Sequence, residues 1–388
     1  MRTLIVAAAL VVTAATVPGT AAAEVTLTCD GIEATIVGTP DQEVLHGTVG
    51  DDVIVTNGAK QVYADRGEDL VCVTGRDSTL VVLDSIDEQW GDSNWADDRV
   101  ITSDGDDIIA SGGYDDVTHF DGRAENGDVF ELGSGDSTIS TTGVLTGSID
   151  GGAGRDRLMV EAYGSAFTID VNSSFEVAGH AAATLDGIES FHLAYSVFDK
   201  LDFIGSAAAE SLYFLDDDES VIAEINADLK GGDDRIQLMA GSRGSIKGGR
   251  GNDLFIYHGS NVAREPSVSM NKGKITATGL RAATASFERL KAVARTVTAR
   301  GDARANQITV EACNAKIFGR HGKDVLTVKV PKYCKTATST LYGGPGNDRL
   351  IGSSGDDVLV GGAGRDRARG GKGHDRCHAE VRFTCEAH

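Results

Sequence analysis

The pattern Gly-x-Asp-x-apolar occurs twelve times in 388 residues. It falls at Asp52, Asp69, Asp107, Asp115, Asp156, Asp234, Asp253, Asp324, Asp348, Asp357, Asp366 and Asp375. Composition alone would place roughly two such matches in the chain. Five carry the longer form Gly-Gly-x-Gly-x-Asp, beginning at Gly151, Gly248, Gly343, Gly361 and Gly370. From Gly343 to His378 four nonapeptides follow without a gap: GGPGNDRLI, GSSGDDVLV, GGAGRDRAR and GGKGHDRCH. Their aspartates, Asp348, Asp357, Asp366 and Asp375, recur at a step of nine. A second ladder with the same step runs from Ser93 to His119 through Asp98, Asp107 and Asp116, with Ala96 and Tyr114 where glycine is expected.

One unit is physically legible. Several glycines within six residues permit positive φ and close backbone approach, so that part is a tight turn. The aspartate points an oxygen into the turn. The apolar-x pair after it is too short for a free-standing strand. It becomes stable only when stacked on neighbours, as repeat architectures do. Each nine residues then make one turn and one short strand, and two repeats complete one coil.

On these residues the chain resembles the hemolysin-type (RTX) calcium-binding repeat family, and more closely its exported, actinobacterial-like members. The resemblance implies an all-β fold, a right-handed parallel β-helix or β-roll. It implies calcium ions between the turns of successive coils, held by aspartates and backbone carbonyls. Carried over by position, the ligands are Asp52, Asp69, Asp98, Asp107, Asp116, Asp156, Asp234, Asp253, Asp324, Asp348, Asp357, Asp366 and Asp375. Asp348 is expected to pair with Asp366 on one edge and Asp357 with Asp375 on the other.

Residues 160–228 and 257–300 lack the nonapeptide but alternate apolar and polar, as in SAFTIDV and ESFHLAY, and read as short strands. Phe287 to Val297 also reads as a short helix. Two segments look like copies. One holds Ile188-Glu189, then GSAAAESLYF from Gly205. The other holds Phe287-Glu288, then GDARANQITV from Gly301. They favour a continued, degenerate solenoid over an inserted catalytic domain. The expected organisation is a signal segment at 1–23, an acidic repeat region at 24–160, a degenerate solenoid at 161–340, and tandem repeats with a disulfide cap at 341–388.

Calcium wants six to eight oxygens from carboxylates and carbonyls. Carboxylates repeated along an edge repel one another unless a cation lies between them. The rival is a metal-free turn, in which Asp accepts hydrogen bonds from loop N–H groups. The net charge of −22 suits cations and argues against nucleic acid. It is unevenly spread: 43 acids and 8 bases from Glu24 to Asp228, then 15 acids and 27 bases from Leu229 onward. Such asymmetry marks different surfaces or partners. The C-terminal ladder from Leu341 to Arg376 holds five acids and six bases, a net +1 that weakens its pull on a cation.

Met1-Arg2, the apolar run Leu4 to Val17 and Ala21-Ala22-Ala23 read as a secretory signal cleaved before Glu24. No stretch is long enough for a confident transmembrane span. The expectation is a secreted, extracellular protein. Its six cysteines, Cys29, Cys72, Cys313, Cys334, Cys377 and Cys385, imply disulfides in an exported chain. Fifteen pairings are open; neighbours in sequence are the simplest choice. A zinc site from Cys377, His378, Cys385 and His388 is a rival with no standard spacing. The chain contains no H-E-x-x-H, no G-x-S-x-G and no phosphate loop. The expected role is therefore calcium binding coupled to folding, with a structural or interaction role outside the cell and no enzymatic activity. The alternative is a β-helical carbohydrate-active enzyme with an acidic groove. Asp216 to Glu219, the densest acid run, reads as a solvated loop.

Overall fold

The computed structural model describes residues 27–40, 42–65, 67–75, 79–83, 99–101, 108–111, 125–126, 129–132, 136–142, 144–161, 163–178, 180–193, 197–214, 221–259 and 266–386. The signal-like segment, the ladder positions Asp98, Asp107 and Asp116, and the acid run at 216–219 lie outside them. Among the described residues every regular element is a β-strand. None is a helix long and apolar enough to cross a membrane.

The chain divides into two compact units: residues 1–163 with 172–188, and 164–171 with 189–388. In the first, one ladder runs through Val44–His46, Gln61–Tyr63, Leu80–Val82, Ile108–Ser111, Thr138–Thr142 and Arg157–Glu161, parallel throughout. A second parallel ladder joins Ile36–Val37, Val53–Val55, Leu70–Cys72, Arg99–Ile101, Val129–Glu131, Ser148–Asp150 and Ala183–Asp186. Ser174–Val177 adds an antiparallel partner to Ala183–Asp186.

The second unit has a ten-strand parallel ladder: Ser190–Leu193, Ser211–Phe214, Arg235–Met239, Leu254–His258, Arg289–Val293, Gln307–Glu311, Val325–Lys329, Arg349–Ile351, Arg367–Arg369 and Val381–Phe383. We call it the long ladder. Facing elements come from Val197–Ile204, Val221–Asp228, Arg243–Lys247 and Arg281–Ala285. They are followed in sequence by Thr296–Arg300, Asn314–Phe318, Thr338–Pro345, Asp356–Ala363 and Arg376–His378. From Arg289 onward, successive strands alternate between the long ladder and this last one.

Burial alternates along each strand, inward on every second residue, as a half-buried sheet requires. In Gln307–Glu311, Ile308 and Val310 are buried; in Asn314–Phe318, Ala315 and Ile317 are. Parallel register then stacks like on like. Leu326, Leu350 and Ala368 form one inward column, and Leu341, Leu359 and Cys377 another. In the middle coils phenylalanine fills the interior: Phe191 packs edge-on against Phe203 and Phe255 against Phe287, each with ring centroids 5.3 Å apart.

The stretch Phe287–Val297 is not a helix. Arg289–Val293 is a strand, with Leu290 and Ala292 buried at a period of two. Ladder pairing on both sides overrides its local helix preference. The disulfides are Cys29–Cys72, Cys313–Cys334 and Cys377–Cys385, the nearest-neighbour set. The last removes both sulfur ligands of the rival zinc site, so that reading is overturned. Cys29 and Cys72 are buried with Val55 under Leu27, Val53 and Leu70, pinning the first described strand to the first unit's core.

Candidate metal centre

In the long ladder, one residue stands immediately before each strand: Glu189, Glu210, Asp234, Asp253, Glu288, Asn306, Asp324, Asp348, Asp366 and Glu380. Parallel register stacks these positions into a column. The backbone N–H of one member donates to the side-chain oxygen of the next. Glu210 N–H reaches Asp234 Oδ1 at 2.8 Å, and Asp234 N–H reaches Asp253 Oδ1 at 3.0 Å. Asp253 N–H reaches Glu288 Oε2 at 3.0 Å. Asn306, Asp324 and Asp348 donate in turn to Asp324, Asp348 and Asp366, each at 2.8 Å, and Asp366 N–H closes on Glu380 Oε2 at 2.7 Å. A separate pair on the facing ladder links Asp357 N–H to Asp375 Oδ1 at 3.0 Å. The first unit repeats the bond from Asp52 to Asp69 at 2.8 Å and from Ser137 to Asp156 at 2.9 Å.

The structure thus brings Asp348 onto the column of Asp366, and Asp357 onto that of Asp375. It buries Asp52, Asp69, Asp156, Asp234, Asp253, Asp324, Asp348, Asp357, Asp366 and Asp375 alike. Column members missed in the sequence are Glu189, Glu210, Glu288, Asn306 and Glu380. For all but Glu380 the signal was the acid or amide followed by x-apolar, and only Glu189 has the glycine two residues earlier. Glu380 is followed by Val381-Arg382 and lacked the apolar position too. The look-alike segments GSAAAE and GDARAN end on two of them.

The first glycine of a unit has a steric task. A Cβ on Gly343 would lie 2.4 Å from Asp348 Oδ2, and one on Gly361 would lie 2.3 Å from Asp366 Oδ2. The same contact recurs between Gly319 and Asp324 and between Gly370 and Asp375. The carboxylate is therefore seated against bare backbone. The second and fourth positions, Gly344 and Gly346, adopt φ of +115° and +159°, which L-residues with a side chain resist. Their carbonyls point along the column: a Cβ on Gly364 would meet Gly346 O at 1.6 Å.

Electrostatically the columns are unbalanced. One oxygen of each aspartate has its N–H donor. The other oxygen of Asp253, Asp324, Asp348, Asp366 and Asp375 is buried without a hydrogen-bond partner, while the buried second oxygens of Glu210 and Asp234 have only each other's carboxyl. Burial, the largest cause, pushes the Asp69 and Asp324 carboxyls up to about 7 and Asp234 up to about 8, and neighbouring column carboxylates push the same way. Asp253, Asp348, Asp357, Asp375 and Glu210 are raised too, again chiefly by burial. Some carboxylates depart from this pattern. Asp52 accepts from the Thr35 hydroxyl on one oxygen and the Thr48 N–H on the other, and both oxygens of Asp357 are met by Ser353. Glu380 is held low by the Asp366 N–H that it accepts. Asp302, in the turn before Asn306, is also held low. Its burial is outweighed by hydrogen bonds from the Arg304 and Lys272 N–H groups and from Asn306. That turn is satisfied by the chain alone.

A buried carboxylate oxygen with no donor, seated beside a glycine turn whose carbonyls point along the column, is hard-cation chemistry. Among the described residues no three His, Cys, Asp or Glu side chains converge on one point. A cation here would take one or two carboxylates and fill its sphere with backbone carbonyls, a donor set that calcium accepts and zinc does not.

Residues 37–71 and 342–377 match the RTX calcium-binding nonapeptide repeat (four copies). These two segments are RTX repeats. They hold Asp52 and Asp69 in the first unit, and Asp348, Asp357, Asp366 and Asp375 in the second. No curated protein matches the chain. Asp156, Asp234, Asp253 and Asp324 lie outside the matched segments, yet the last three share the geometry of the RTX aspartates: buried, with Oδ1 on an inter-coil N–H and Oδ2 against the turn.

Proposed function

We propose that this is an exported calcium-binding protein whose strands wind as a β-roll, and that calcium entering the carboxylate columns completes its fold. The observation that carries the proposal is the set of buried aspartate oxygens without donors, repeated coil after coil beside glycine carbonyls. At neutral pH an ionised column is self-repelling and desolvated; a divalent ion relieves both costs at once. The alternating strand order supports the winding, and the RTX segments support the ion. The three disulfides and the signal-like N-terminus support export to a compartment where calcium is abundant. The role is structural or interactive and assigns no catalysis to the chain.

The metal-free turn also has an observation in its favour, since each aspartate already caps a backbone N–H. The two readings separate in a calcium titration of the mature, oxidised protein, followed by far-UV circular dichroism and calorimetry with magnesium as control. A cooperative gain of β signal specific to calcium is expected, with millimolar-range affinity of roughly 10⁻⁴–10⁻³ M. A fully formed spectrum in chelator with no calcium uptake would establish the self-capped turn instead. Asp348→Asn with Asp366→Asn should lower the stoichiometry; unchanged stoichiometry would remove calcium from that column.

A further inference from the structure

Residues 342–386 carry seven carboxylates and seven lysines and arginines, a balance that looks neutral in sequence. The fold separates them. Asp348, Asp357, Asp366 and Asp375 point inward and are at most 2% exposed. The other three are committed within the chain. Asp356 accepts the His374 N–H, Glu380 accepts the Asp366 N–H, and Glu386 contacts His374 Nδ1. All seven cations, Arg349, Arg365, Arg367, Arg369, Lys372, Arg376 and Arg382, are exposed. None of them makes an ion pair among the described residues.

Their placement is costly for a merely solvated surface. Arg349 and Arg367 are direct partners in the long ladder, on strands about 4.8 Å apart. Like charges directly opposite destabilise a sheet. Arg369 projects from the same face one pleat further on, and its partner on the last strand is Phe383, which is 57% exposed. Upstream on this face Lys291 pairs with Glu311, while Arg289 and Lys329 make no ion pair. What sets the last coils apart is that arginines are register partners there and no acid shares their outward face.

We propose that this arginine face of the long ladder, Arg349, Arg367 and Arg369 with Phe383 at its end, binds an acidic polysaccharide. Guanidinium forks take carboxylate or sulfate groups two bonds at a time, which suits a face whose three cations are all arginine. A row running across strands matches a linear polymer carrying an anion at intervals. Phe383 offers the CH face of a sugar ring an apolar platform. Nucleic acid fits less well. The face lacks the row of aromatic platforms on which bases stack. A membrane surface would ask for a contiguous apolar patch, and Phe383 stands alone. The inference does not rest on calcium occupancy, because the cations face outward on the strand period itself.

The test is binding of the full chain to immobilised dextran sulfate and hyaluronate, with neutral dextran as control, in calcium-containing buffer at near-physiological salt. Both acidic polymers should bind and neutral dextran should not, with affinity falling as salt rises. R349E/R367E should weaken binding by about tenfold or more. R243E/R281E changes two arginines that are likewise register partners, on another ladder of the same unit, and should change it by less than about twofold. Circular dichroism checks each variant; if charge reversal unfolds the last coils, R349Q/R367Q replaces it with the same expected direction. Three results would overturn the proposal: no binding to either acidic polymer, equal losses in the two double variants, or tighter capture of duplex DNA or anionic vesicles through the same arginines.

Discussion

Asp348 has two oxygens with different fates. Oδ1 takes the N–H of Asp324, and Oδ2 is pressed toward Gly343 with no donor. Two residue-scale predictions follow from that division. Gly361→Ala places a methyl 2.3 Å from Asp366 Oδ2, with the Cβ and Cγ of the same side chain at 2.5 and 2.6 Å. Denaturant unfolding in calcium should show a loss of about 1–3 kcal/mol. Gly50→Ala, where a Cβ meets nothing within 4 Å, should lie within about 0.5 kcal/mol of the parent. Asp324→Asn keeps the acceptor for the Asn306 N–H and removes a buried charge, as the chain itself does at Asn306. In chelator at pH 8 its melting temperature should match or exceed the parent's. In calcium it should bind less metal. A lower melting temperature in both buffers would show that the Asp324 carboxylate supports the metal-free fold as well.

Among the elements, the last coil is the one with covalent help. Cys377 is buried at the end of the Leu341–Leu359 column and is tied to Cys385 across eight residues. Loop closure of that size is worth about 2.5 kcal/mol. C377S/C385S should therefore speed hydrogen exchange in Arg376–His378 and Val381–Phe383 and leave Val53–Val55 unchanged. Exchange by mass spectrometry reads both at once. The disulfides are the simplest of fifteen pairings that the sequence left open, and the strand after each described Gly-x-Asp was legible, because turn chemistry and apolar spacing act locally. Phe287–Val297 was not, because only its ladder neighbours decide between helix and strand. Glu189, Glu210, Glu288, Asn306 and Glu380 escaped a search for aspartate, since what the column selects is a side-chain oxygen at one register position. The outward turn of Arg349, Arg367 and Arg369 was hidden for a related reason: counting charges gives their sum, while the strand period gives their side.

For the whole molecule, the raised carboxyls fix the sign of a pH effect. A folded-state value above the unfolded one means that the folded chain holds protons that the unfolded chain releases. Stability is then greatest below the unfolded value of 3.8 and is lost as pH rises through about 7 for Asp69 and Asp324 and about 8 for Asp234. Thermal melts in chelator should fall across that window, and saturating calcium should flatten the upper end. A melting temperature in chelator that rises with pH would contradict the buried columns. The inter-coil bond also has a sense of direction. In each of the seven column bonds described, the N–H waits for an oxygen that arrives later in the chain, 14 to 35 residues on, and Asp366 waits for Glu380. Trimming coils from the C-terminus therefore strands a buried donor each time, while trimming from the N-terminus releases an anion that water or a cation can solvate. The protein has a fragile end and a forgiving one, and a chain synthesised from its N-terminus acquires the fragile end's lock last.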